Sequence, residues 1–431
     1  MTSRRGFLRG AGGLLAAGAS LPATVAEARP HGPHGPATEP FWGTHQSGIV
    51  TPPQRHTYVA AFDIVAARPG DVIALLTAWT NAAARLTQGS AVEGMVDQGD
   101  TIGLAPERLT LTFGFGPTLF VKDGKDRFGL ASRRPAALID MPRFHGDQLI
   151  ENRTGGDLSV QACAEDPQVV FPAIRTMEQL ADGIAVIRWG QTGFASPPRD
   201  GGTTRNLMGF KDGTGSPLVQ AHGGPHPRPD PAGEKAIWVG DEGPDWMRGG
   251  SYVAIRRIRI ALEHWDRSPV DFQEKVVGRH KQTGAPLGGR QEFDAPNFDA
   301  VDSDGDTVIP ETSHLRLAHP AMNGGASMVR RGYSYNEGVN FTAERWPPWR
   351  QGMEFDAGLL FLGYQRDFGT GFVKVFELMA KMDALNQFTT HVGGGFFACP
   401  GGARPGSFIG EGLFAGLDRT ESPRAVKPPT Y

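Results

Sequence analysis

The chain has 431 residues, of which 39% are hydrophobic and 21% charged, with 43 Lys plus Arg against 46 Asp plus Glu and a formal charge of -3. That balance excludes the basic surface of a nucleic-acid binder, and the length favours two domains around a large core. The 59 Gly and 34 Pro predict long irregular connections between the regular elements.

The chain opens with Arg4-Arg5-Gly6-Phe7-Leu8, followed by a weakly apolar Gly/Ala/Leu run from Gly10 to Ala19 and a small-x-small sequence at Ala26-Glu27-Ala28. A positive head, a short apolar centre and small residues before a cut describe an export signal over 1–30. The paired arginines point to the twin-arginine route, which carries folded proteins. The apolar run is too short to span a bilayer, and no later stretch predicts a stable membrane insertion. Residues 31–54 then read as a lead-in whose first part, from His31 to Pro40, is rich in Pro, Gly and His.

Tyr58 to Ile64 predicts a strand and Asp71 to Gln88 a helix. Leu109 to Phe115 and Leu158 to Ala164 alternate as half-buried strands do, Asp166 to Leu180 is helical in texture, and Ile184 to Trp189 closes the first half. After a polar, loop-like stretch from Arg199 to Gly233, a second half begins near Trp238. It comprises a strand at Ser251–Ile260, a helix opened by Ser268-Pro269 and ended by Gly278, and strands at Tyr333–Tyr335, Gly358–Tyr364 and Gly395–Phe397. A helix is predicted over Gly371–Met382. Two rounds of strand-helix-strand units imply an α+β fold of two ferredoxin-like domains, 55–225 and 226–431, with antiparallel sheets packed together and helices outside. The acidic run Asp302-Ser303-Asp304-Gly305 lacks a carboxylate at the first position of a calcium loop, Ala300, and reads as a solvated loop. Cys163 and Cys399 sit in apolar runs and read as buried small side chains.

The motifs with chemical content are Gly209-Phe210-Lys211-Asp212-Gly213-Thr214, Ser313-His314-Leu315-Arg316 and Arg330-Arg331-Gly332. Alone, the first is an Asp-Gly turn and the second a polar histidine segment. They occur in order with Phe41 to Ile49, Leu111 to Pro117, Gly155 to Leu158, Gly278 to Gly288 and Gly393 to Ala398. This ordered series resembles the dye-decolourising haem peroxidases, particularly an exported bacterial branch related to iron-uptake-operon peroxidases and deferrochelatases.

The resemblance implies one haem b per chain, in a pocket mainly of the C-terminal domain. With no CxxCH segment, covalent c-type attachment is excluded; the cysteine count alone leaves thiolate ligation open. His314 is implied as the axial ligand of the iron, with His319 a rival five residues on. Asp212 is implied as the acid-base group, with a distal-side loop around it in which Gly213 and Thr214 approach the porphyrin. Arg330 is implied as the charge that stabilises the departing oxygen. Arg316 and Arg331 would face haem propionates, Arg331 alternatively a carboxylate. Asp367 is either the acceptor that orients His314 or a helix N-cap before Phe368.

The activity implied is reduction of hydrogen peroxide through a ferryl intermediate, with a bulky organic or phenolic donor, such as a dye, being oxidised. Alternatives are iron release from haem, ferrous-iron oxidation during iron uptake, or a non-enzymatic haem-binding and delivery protein. The partners implied are the twin-arginine translocation machinery, iron-uptake proteins and a second copy in a homodimer. The location implied is periplasmic or extracellular.

Overall fold

The strands and helices follow one another in the same order in the two halves. A computed structural model describes residues 37–95, 99–196, 203–217, 231–343 and 351–417. The first half runs β1 (His56–Ile64), α1 (Pro69–Leu86), β2 (Thr110–Phe115), β3 (Leu158–Ala164), α2 (Pro167–Leu180) and β4 (Ala185–Phe194). The second contains β5 (Ser251–Ile260), α3 (Val270–Val277), α4 (His314–Ala318), β6 (Val329–Ala343), β7 (Gln351–Gln365), α5 (Phe372–Met382) and β8 (Thr389–Cys399). Every pairing between strands is antiparallel, and the orders β4-β1-β3-β2 and β6-β7-β5-β8 follow one pattern. This is the mixed α+β fold that the alternation predicts.

The two sheets are not merely stacked. Phe115 of β2 pairs with Ala398 of β8, and Phe194 of β4 pairs with Ser334 of β6, which closes all eight strands into a barrel. Closure leaves no open sheet edge between the halves. The second apolar face that a sandwich would bury is here the barrel interior, filled by Val59, Ala61, Cys163, Trp189, Tyr333 and Leu360. Strands β2 and β3 are buried along their whole length, since helices cover their outer face. There, Trp79 of α1 packs at 5.0 Å from the Phe62 ring and 5.8 Å from that of Phe113. Its indole N–H donates to Met177 O of α2 at 2.7 Å, so the largest side chain of this layer leaves no donor unmatched.

Several boundaries differ from the expected ones for local reasons. Asp166 does not belong to α2 but caps it, accepting from Gln168 N at 2.7 Å. Pro269 precedes α3, and Ser268 does not cap it; its hydroxyl donates back to His264 O. Gly278 ends α3 as expected, at φ 85°. Strands β6 and β7 extend well beyond their buried centres into solvent-exposed arms, and a bulge between Asn336 and Val339 obscures the alternation. The short helix α4 is too brief to show a period.

Both cysteines are buried and free, as their surroundings predict. Asp302 accepts from Asp304 N and Asp306 N, so the acidic run is a self-bonded turn. Among the described residues no cluster of three or more metal-binding side chains occurs, and no helix is long and apolar enough to cross a membrane. The export signal, the start of the lead-in and the expected boundary at 225 lie outside the described residues.

Candidate active site

On the outer face of the C-terminal sheet is a cavity of about 790 Å³. Its apolar wall includes Ile258 and Ile260 of β5, Leu359 and Phe361 of β7, and Val375 and Met379 of α5. Its polar lining includes Asp212, Arg279, His314, His319, Arg330 and His391. An apolar slot with a few convergent polar groups is the usual form of a cofactor site.

Asp212 reaches the cavity because the 203–217 loop folds back on itself. Arg205 and Lys211 form an antiparallel bridge, Asp212 N donates to Thr204 O at 2.9 Å, and Gly209 N donates to Asn206 O at 3.0 Å. Gly209 and Gly213 have φ of 84° and 118°, conformations that side-chain-bearing residues rarely adopt. Phe210 is buried against Trp265 at 5.9 Å and anchors the loop. Glu292 ties it down further, taking a bond from Thr214 at 2.9 Å and pairing with Lys211. Burial opposes ionisation of Glu292, but its bonds from Lys211, Thr203 and Thr214 hold its pKa below the usual value.

Strand alternation decides the fate of the arginine pair. Arg330 faces the cavity and makes no ion pair among the described residues, while its backbone N–H donates to Ser216 Oγ at 3.3 Å. Gly332, two residues on, shares that face: a Cβ there would stand 3.7 Å from Asp212 Oδ2. The carboxylate therefore lies over β6, close to Arg330. Arg331 points the other way, into the barrel, where it bonds Thr51 O, Gln54 Oε1 at 2.7 Å and the Tyr333 hydroxyl at 3.1 Å. It meets neither a carboxylate nor the cavity, which corrects the propionate role.

His314 is the first residue of α4, and its Nδ1 lies 2.7 Å from Asp383 Oδ2. The Asp383 side chain is 2% exposed and that of His314 34%, so the ring's other edge is open to the cavity. Burial would lower the His314 pKa, and the Asp383 carboxylate outweighs it and raises the pKa. A carboxylate on Nδ1 holds the proton there and leaves the Nε2 lone pair for a metal. His319 also lines the cavity, but its Nδ1 accepts from Ala321 N at 3.2 Å, within a turn. Burial, then Arg279, lowers its pKa.

Two further expectations are corrected. Asp367 does not orient His314; it accepts from Thr370 N at 2.8 Å, so it caps the turn that leads into α5, which starts at Phe372 rather than Phe368. Arg316 turns away from the cavity and donates to Phe298 O at 3.0 Å and Ile309 O at 3.1 Å, pinning the segment on either side of the acidic run. With Arg316 and Arg331 engaged elsewhere, the lining donors suited to the carboxylates of a porphyrin include His319, His391 and Arg279, whose Nη1 also donates to Gly284 O and Glu292 O. Sequence reasoning missed Asp383, Arg279 and His391 as site residues. Arg279 lies in a quoted motif, but nothing local marks Asp383 or His391.

The lining fits an iron porphyrin: a flat apolar ring for the hydrocarbon wall, one carboxylate-oriented imidazole for the metal, and donors for carboxylates. Comparison with known proteins agrees. Residues 46–195 match the model of the Dyp-type peroxidase N-terminal region and residues 203–404 that of its C-terminal region. The chain belongs to the Dyp-type peroxidase family. It is a haem b peroxidase by that membership. It is 38% identical over 392 residues to a deferrochelatase of Escherichia coli strain K12, covering 87% of each chain. It is also 37% identical over 450 residues to a dye-decolorizing peroxidase of Thermobifida fusca strain YX, covering 96% of this chain and 98% of the relative. The structure of ferric DtpA from Streptomyces lividans superposes with a TM-score of 0.79 at 38% identity, covering 88% of this chain and 98% of that one. A DyP-type peroxidase from Streptomyces coelicolor gives 0.80 at the same identity, covering 88% and 98%.

Proposed function

We propose that this Dyp-type peroxidase reduces hydrogen peroxide at a haem held by His314 and oxidises bulky dyes or phenolic donors. The observation that carries this reading is that the Asp212 carboxylate lies over β6 beside the strand face that carries Arg330, in one cavity with the His314–Asp383 pair. Haem, when bound, supplies the iron that takes the peroxide and the ring that stores oxidising equivalents. For the outer oxygen of HOOH to leave as water, the proton on the inner oxygen must reach it. Asp212 is the carboxylate placed to carry that proton. Arg330, which makes no ion pair among the described residues, brings positive charge to the point where negative charge grows as the O–O bond breaks. Purified holoprotein mixed with peroxide and a bulky dye tests the reading; no dye bleaching would overturn it and leave the haem-delivery alternative.

Arg330→Leu is expected to slow the reaction with peroxide by about 10²–10³-fold, the usual cost of one preorganised electrostatic donor, with haem content unchanged. A variant that reacts as fast as the parent would remove Arg330 from the mechanism. Asp383→Asn replaces the carboxylate on Nδ1 by an amide and is expected to weaken haem retention by about 10–100-fold, as loss of an outer partner of a ligating histidine does. It should also lower the iron–histidine stretching frequency in resonance Raman spectra. A frequency identical to the parent's would show that Asp383 does not tune the ligand.

The deferrochelatase relatives favour a second reading, iron release from haem during iron uptake, on the same residues. Recovery of intact protoporphyrin after incubation with haem would support it. We further infer export by the twin-arginine route to the periplasm or medium, supported by Arg4-Arg5 and the short apolar run behind them. Replacing both arginines by lysine should leave the protein inside the cell, as fractionation and immunoblotting would show.

A further inference from the structure

The least expected polar group in the cavity is His391, the third residue of β8. Its ring lies 4.5 Å from that of Phe376, on the wall that also carries Ile258, Phe361 and Met379. Nothing in the proton-transfer scheme uses it. Yet it is held by a buried ionic construction of its own. Arg256 of β5 donates from Nε to His391 Nδ1 at 2.9 Å, and its Nη2 pairs with Asp147. The side chains of that pair are 0% and 3% exposed, and the guanidinium also lies 5.6 Å from the Phe144 ring and 5.5 Å from the Phe376 ring.

This construction fixes the state of the imidazole. With Nδ1 accepting from a guanidinium, the ring's proton belongs on Nε2. Burial, then the charge of Arg256, lowers the His391 pKa far below its usual value, so the ring stays neutral. The result is an N–H donor of fixed tautomer on the cavity wall, with no protein acceptor for Nε2 among the described residues.

An unmatched N–H facing hydrocarbon loses a hydrogen bond it would have in water. The rim of an iron porphyrin offers either hydrocarbon edge or carboxylate, and only carboxylate satisfies the donor. We propose that His391 Nε2–H donates to one propionate carboxylate of the haem, and that Arg256 and Asp147 exist to hold it in that tautomer. The inference rests on haem as the occupant of the cavity. It makes His391 a cofactor-positioning residue that selects which edge of the asymmetric ring enters against β8.

The test compares His391→Leu with the parent, each loaded with haem or with haem dimethyl ester, by the rate of porphyrin transfer to excess apomyoglobin. With haem, His391→Leu should lose the porphyrin about tenfold faster or more, the worth of a hydrogen bond to a charged group. With the dimethyl ester the two proteins should differ little. An equal ratio for both porphyrins, or no change with either, would overturn the proposal and leave His391 as packing. His391→Gln retains a side-chain N–H and should restore slow loss. Should the leucine variant misfold, His391→Phe keeps an aromatic ring without a donor, and a propionate bending band in its resonance Raman spectrum that coincides with the parent's would overturn the proposal equally. The Soret band of loaded parent protein reports separately on whether haem occupies the cavity at all.

Discussion

His314→Ala is expected to lose most of its haem during purification, and whatever remains should show a changed ferric absorption spectrum. Among the described residues, the imidazole is the one cavity side chain whose Nδ1 is held by a buried carboxylate, at 2.7 Å. No other group replaces that arrangement: His319 lies within a turn and has its Nδ1 engaged by Ala321 N. Removing an outer partner of a ligating histidine costs about 10–100-fold in affinity, and removing the ligand itself should cost more. The haem-to-protein ratio and the ferric spectrum are the measurements. A spectrum indistinguishable from the parent's would transfer the ligand role to His319.

Asp212→Ala should keep its haem but react with peroxide about 10²–10⁴-fold more slowly, the range for loss of a positioned acid-base group. Retention follows from the structure, since the loop is held by Phe210 on Trp265 and by Glu292 on Thr214 and Lys211, while the Asp212 side chain adds only a long bond, 3.5 Å, from Asn206 Nδ2. Stopped-flow spectra after mixing with peroxide give the rate directly. If the rate at saturating dye falls while the reaction with peroxide does not, Asp212 serves donor oxidation and the proton path lies elsewhere.

Much of this site could be read from residue types in order. Gly209 and Gly213 mark left-handed backbone on either side of Asp212, and the structure shows it. Arg330 and Arg331 carried a signal that motif reading overlooked. Neighbours on one strand face opposite sides, so no more than one of them could reach the cavity. The bulge after Asn336 and the exposed arm beyond it concealed how far β6 runs, and Arg330-Arg331-Gly332 at its start reads as a polar motif rather than a strand. Asp367 and Asp383 show the opposite case. Each is an aspartate just before a helical segment, and each caps a turn, through Thr370 N and Leu385 N respectively. Local chemistry does not distinguish them.

The sequence by itself determined the family, the alternating α+β elements and the residues that carry charge and metal-binding capacity, because these follow from side-chain chemistry and short-range periodicity. Only the tertiary structure decided that the two sheets close into one barrel, that Asp383 rather than Asp367 holds His314, and that Arg316 and Arg331 serve packing. The reason is separation along the chain. His314 and Asp383 are 69 residues apart, as are Glu39 and Arg108, while Arg256 and His391 are 135 apart. Contacts at that range are set by how strands pair and helices pack, which no local pattern encodes.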